Sequence, residues 1–76
     1  MSIVAEMQSN FNEIIKNVGV IEQTDSKIAI IQAAMNMIEE VIDADDWLKD
    51  IFESAIEKTD DDLTKDMLQS YINSFL

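Results

Sequence analysis

Six carboxylates fall at Glu39, Asp43, Asp46, Asp50, Glu53 and Glu57, separated by steps of 4, 3, 4, 3 and 4 residues. On one continuous helix that spacing stacks all six on a single face, with neighbours about 5–6 Å apart at Cβ. Like charges at such intervals destabilise a helix slightly, and only Lys49 and Lys58 are near enough in sequence to offset them. A row of carboxylates at this pitch can stand in for a phosphate backbone. Its chemistry is electrostatic: it can occupy a basic groove that otherwise takes nucleic acid. The wet side of an ordinary amphipathic helix has the same period, so spacing alone does not separate the two readings. Asp60, Asp61 and Asp62 prolong the acidic run.

A solvated outer face of an acidic protein is the default reading, and the uneven charge with few compensating Lys adds weight to a working surface. Net charge is −11, and residues 39–66, with twelve acids and three Lys, carry −9 of it; residues 1–38 carry −2 and residues 67–76 carry none. Such a field repels nucleic acid and anionic membrane and attracts basic partners. Direct nucleic-acid binding needs a basic footprint and is not expected.

Other chemistries fit less well. The chain has no Cys and no His, so disulfides, thiolate metal sites and imidazole ligands or bases are excluded. Asp43-Ala44-Asp45-Asp46 resembles the start of an EF-hand calcium loop, which also needs an oxygen ligand at its fifth position, Gly at its sixth and Glu at its twelfth. Counted from Asp43 those places hold Trp47, Leu48 and Ser54; counted from Asp60 they hold Thr64, Lys65 and Tyr71. No dedicated metal site and no cofactor are expected. Catalysis by paired carboxylates needs burial or a shaped pocket to separate their pKa values. These acids read as exposed and there is no Gly-rich phosphate loop, so the chain is not expected to be an enzyme.

In size, acidity and helix count the chain resembles an acyl carrier protein. That family attaches phosphopantetheine to the Ser of an Asp-Ser-Leu motif opening its second helix. Here the corresponding residues are Asp25-Ser26-Lys27, with Lys27 in the Leu place and only Gly19 to Thr24 where the family has a long loop. Asp25 and Ser26 read more simply as helix-cap residues.

The elements that position these groups are helical. Pro is absent, Gly19 is the one glycine, and no β-branched run alternates with polar residues. Four helices fit. The first spans about Ser2 to Val18, with Ser2 as cap, Gly19 as stop, and Val4, Met7, Phe11, Ile14, Val18 and Ile21 as its seam. The second spans about Ser26 to Asp43 after three candidate caps, Thr24, Asp25 and Ser26. Its seam is Ile28, Ile31, Met35, Ile38 and Ile42, widened by Ile30, Ala33, Ala34, Met37 and Val41. The third spans about Asp46 to Lys58 with Asp45 as cap; Trp47, Leu48, Ile51, Phe52, Ala55 and Ile56 face inward. The fourth spans about Asp60 to Phe75, with Thr59 and Asp62 as a capping box and Leu63, Met67, Leu68, Tyr71, Ile72 and Phe75 inward. Helices 2 and 3 could be continuous. A break at Asp43–Asp46 is favoured because Asp caps helices well and sits poorly inside them.

The fold expected is therefore all-α, a small compact bundle of about four helices, or three if the second and third are continuous, in a single domain of residues 1–76. A domain this small buries only roughly 60% of its unfolded surface. Helix 2 is apolar over most of its circumference, so self-association, for example as a homodimer, is expected. The first residues lack a basic n-region and cleavage site, and the longest apolar stretch is too short for a membrane span, so a cytoplasmic protein is expected.

The function expected is a small acidic inhibitor or regulator that occupies a basic, nucleic-acid-binding surface of a partner protein. The contact residues would be Glu39, Asp43, Asp46, Trp47, Asp50, Glu53, Glu57, Asp60 and Asp61. Core packing is the default for the aromatics, but Trp47 lies beside Asp45 and Asp46 and also suits a contact hot spot. In size, charge and class the chain is similar to the DNA-mimic antirestriction and anti-CRISPR proteins of phages; no sequence motif carries that similarity. The alternative is a structural or adaptor module working through an apolar face that includes Ile30, Met37 and Val41, with the acids only keeping it soluble.

Overall fold

Apolar residues recurring three and four apart fold each quarter of the chain into an amphipathic helix. The computed structural model describes residues 3–76. It contains α1 (Ile3–Val18), α2 (Thr24–Val41), α3 (Asp45–Lys58) and α4 (Asp62–Phe75), with no strand among the described residues. The fold is the small all-α four-helix bundle that the sequence predicts. No helix among the described residues is long and apolar enough to cross a membrane.

α1 packs on α2 and α3, and α4 packs on α2 and α3, so the helices form a ring in the order α1, α2, α4, α3. Gly19, after α1, lies against Thr59 and Asp61, after α3, and Asn12 of α1 donates to Ser54 of α3; these two helices run parallel. Lys27 near the start of α2 meets Asp61 just ahead of α4, and Glu39 and Tyr71 line the other end of the same cleft, so α2 and α4 are parallel too. Two antiparallel hairpins, α1–α2 and α3–α4, are thus laid against each other. Both hairpin turns lie at one end. The connection from α2 to α3 crosses the other end on the diagonal.

The core draws on every helix: Phe11, Ile15 and Val18; Ile31, Ala34, Met35 and Ile38; Leu48, Ile51, Phe52 and Ala55; Leu68 and Ile72. Ile42, between α2 and α3, is buried as well and closes the crossed end. Phe52 is central. Its ring meets Phe11 at 5.4 Å and takes Tyr71 edge-on at 5.1 Å, a geometry that suits the aromatic quadrupole.

Several local expectations need correction. Ser2, expected to cap the first helix, lies outside the described residues. The inner row of α1 is Phe11, Ile15 and Val18: Ile15 is fully buried, whereas Ile14, placed on the seam from sequence, is 38% exposed. Gly19 follows the end of α1 without a left-handed φ. Its turn is closed by Val20 N–H on Asn17 O and Ile21 N–H on Val18 O. A Cβ there would stand 3.4 Å from the Asp61 Cβ, an ordinary van der Waals contact.

α2 starts at Thr24 behind Gln23, so Thr24, Asp25 and Ser26 are first-turn residues and not caps; Ser26 Oγ donates back to Gln23 Oε1 at 3.2 Å. Helices 2 and 3 do break, at Ile42-Asp43-Ala44, and Ala44 occupies the cap position expected of Asp45. α4 is capped by Asp61 and not Thr59. Trp47 and Phe75, placed inward from sequence, are 55% and 71% exposed.

Candidate partner-binding surfaces

Leu48, Ile51, Phe52 and Ala55 hold one side of α3 in the core. Asp46, Asp50, Glu53 and Glu57 are half a turn away and all are exposed. Four of the expected contact residues therefore form one straight acidic row on the outer face of the bundle. Among the described residues one cation touches it: Lys49 Nζ lies 3.9 Å from Glu53 Oε1, with both side chains half in solvent, a pair worth little. The exposed Trp47 indole flanks the start of the row, on the side of α3 that turns toward α1. Asp43 lies in the connection ahead of α3 and is exposed.

The remaining expected residues are dispersed. Glu39 belongs to α2 and is half-buried, in the cleft between α2 and α4 opposite Tyr71. That cleft has a volume of about 580 Å³ and opens widely to solvent. Burial pushes the Tyr71 phenol up to about 12, helped by the Glu39 carboxylate beside its hydroxyl and by Asp45. The break at Ile42–Ala44 thus bends the six-acid series, and Glu39 is turned away from the row on α3.

Asp60 is exposed after α3, but its neighbour Asp61 is committed. The Asp61 carboxylate accepts from the Thr64 backbone N–H at 3.0 Å, from the Thr64 hydroxyl at 2.6 Å and from the Lys27 ammonium at 2.5 Å. The Asp61 N–H donates to Thr59 Oγ1 at 3.2 Å. Lys27 and the Thr64 hydroxyl hold the Asp61 carboxyl at about 2, below its ordinary 3.8. Asp61 is an N-cap that ties two hairpins together. Nothing local in the sequence selects it among Asp60, Asp61 and Asp62; the selecting group is Lys27, 34 residues away.

Among the described residues no three acidic side chains converge closely enough to hold a metal ion.

The opposite side of the ring has another character. Ile3, Met7, Asn10 and Ile14 of α1 and Ile30, Met37 and Val41 of α2 lie at helical spacing along the groove between these helices. Met7, Ile14, Met37 and Val41 line a small cavity of about 150 Å³ there. Met37 is 64% and Val41 62% exposed, and Ile3, Ile14 and Ile30 are exposed too. No charged residue occurs between positions 28 and 38.

Fold and surface together define a small acidic four-helix bundle with one acidic and one apolar face. Comparison with protein-family models, with curated proteins and with solved structures gives no match.

Proposed function

We propose that the chain is a non-enzymatic inhibitor or regulator that occupies a basic, nucleic-acid-binding surface of a cytoplasmic partner protein, in the manner of a phage DNA mimic. The observation that carries this reading is the outer face of α3. There Asp46, Asp50, Glu53 and Glu57 are exposed in line with a single weak cation contact, and Trp47 stands exposed at their edge. Carboxylates left unneutralised at helical pitch offer a basic groove a complementary field, and the indole supplies a desolvating anchor.

The test is affinity capture from a bacterial lysate at low and moderate salt, with mass spectrometry of the retained proteins. Asp46→Lys/Asp50→Lys/Glu53→Lys and Trp47→Ala are the controls. The expected result is one nucleic-acid-binding protein held by the native chain, weakened by salt and lost from both variants. Retention of the same partner by the triple-lysine variant would refute the reading.

A second reading has its own support. The exposed Ile30, Met37 and Val41 suit an adaptor module that works through its apolar face. In that case the triple-lysine variant keeps its partner, and polar substitution at Met37 removes it.

A further inference from the structure

The cleft between α2 and α4 is lined by two carboxylates and by no cation. Glu39 belongs to α2 and Asp66 to α4. Neither has an ion-pair partner among the described residues, although Glu39 is half-buried. Partial burial penalises a charge that nothing offsets. The two acids also stand apart. Asp66 and Tyr71 are separated by about 7.5 Å of axial rise along α4, and Glu39 lies beside the Tyr71 hydroxyl. One carboxylate therefore marks each end of the cleft.

The surface between them is apolar in the middle. Met35 and Met67 contribute thioethers, and Tyr71 and Phe75 contribute two rings tilted at 36° with centroids 5.0 Å apart. Phe75 is the outermost ring of a series that starts in the core at Phe11 and Phe52, and its free face is in solvent. The other lining groups are neutral amides and hydroxyls. The volume of about 580 Å³ lies within the range of small-ligand sites.

We infer that this cleft binds a linear aliphatic diamine or polyamine, with its ammonium groups on Glu39 and Asp66 and its methylene stem over Met35, Met67, Tyr71 and Phe75. The chemistry selects this ligand. An anion is repelled at both ends. A metal ion needs oxygen ligands that converge, and no three acidic side chains do so among the described residues. A singly charged amine leaves one carboxylate unpaired. Two ammonium groups on a short aliphatic chain answer both acids, and the one beside Tyr71 and Phe75 also gains from the negative faces of the rings. The site is apart from the acidic row on α3 and does not rest on the function proposed for that row.

Cadaverine and spermidine are the probes, with butylamine as the singly charged control. Binding is followed by titration calorimetry and by NMR of isotope-labelled methionine methyls. Met35 and Met67 report on the cleft, whereas Met7 and Met37 report on the α1/α2 groove. The expected results are shifts at Met35 and Met67 with Met7 and Met37 unmoved, and a diamine affinity about tenfold or more above that of butylamine. Glu39→Gln/Asp66→Asn, with helicity retained, should abolish that preference. Glu13→Gln/Glu22→Gln removes the same charge at exposed positions outside the cleft and should leave binding unchanged. This comparison separates a site from the general attraction of polycations to a chain at −11. Phe75→Ala, at an exposed position, should weaken binding about threefold, the worth of an exposed cation–π contact. The inference is overturned if Met35 and Met67 do not shift up to about 10 mM diamine. Equal affinity for cadaverine and butylamine, equal loss in the two double variants, or unchanged binding by Phe75→Ala overturns it as well.

Discussion

Replacing Asp61 with Ala removes the acceptor shared by Thr64 and Lys27. Losing an N-cap costs about 0.5–2 kcal/mol, and losing a charge-assisted hydrogen bond costs about 1.5–3 kcal/mol. The Thr64 side chain is fully buried and Lys27 is largely so, and neither gains a new partner. The gap between 3.8 and about 2 in the Asp61 carboxyl corresponds to about 2.4 kcal/mol of preference for its charged form. Solvent screening at this rim position reduces that to about 1–2 kcal/mol. The combined loss at pH 7 is about 2–3 kcal/mol. A domain of this size shifts about 4–8 °C in melting temperature per kcal/mol, so the variant should melt about 10–20 °C below the native chain by circular dichroism.

The sign with pH follows from the lowered carboxyl. The charged carboxylate stabilises the fold fully above the unfolded value near 4, and the effect fades as pH falls through about 2. Neutralising the other acids affects native and variant alike, so the difference between them isolates Asp61. That difference should shrink by about half or more between pH 7 and pH 2. A loss under 3 °C at pH 7, or a difference that is the same at both pH values, would refute the assignment of Asp61 as the pinning cap.

Two further outcomes are expected. Ile15→Ala empties a fully buried site and should cost about 2–5 kcal/mol in a denaturant titration. Ile14→Ala, one residue earlier on the exposed flank, should cost under about 1 kcal/mol; equal costs would contradict the rotation of α1 described here. The Tyr71 phenol should ionise near 12 in an ultraviolet titration of the folded chain, and Glu39→Gln should lower that value while leaving it above 10, since burial is the larger cause. The stabilisation linked to Tyr71 is present below pH 10 and is lost as pH rises toward 12.

The helices were legible because each carries a 3–4 apolar period, and the break before α3 because aspartates gather there. The finer choices were not local. Ile14 and Ile15 are adjacent and equally apolar, and only the packing of Phe11 against Phe52 shows that α1 turns the second inward. Trp47 precedes the buried Leu48, about 100° around the helix, and so sits at the margin of the core where hydrophobicity alone misplaces it. Phe75 is in the last turn of α4, leaning on Tyr71 at 5.0 Å with its other face in solvent. The acidic row was legible on α3 but not across the break, because Glu39 follows α2 to a different cleft. The Asp61 cap was hidden because its distinguishing partner lies on another hairpin.

The Lys27–Asp61 tie and the short crossing at Ile42–Ala44 sit at opposite ends of the molecule. Each hairpin keeps its own turn, so the two halves are joined covalently at one end and ionically at the other. The bundle has the mechanics of a clasp, with a three-residue hinge and a charged latch. Opening it separates α1 from α3 and α2 from α4 without unravelling either hairpin, and the buried residues nearest the latch, Val18, Ala55 and Thr64, are the first part of the core to meet water. Acid that protonates Asp61 unfastens the latch while the hinge stays intact.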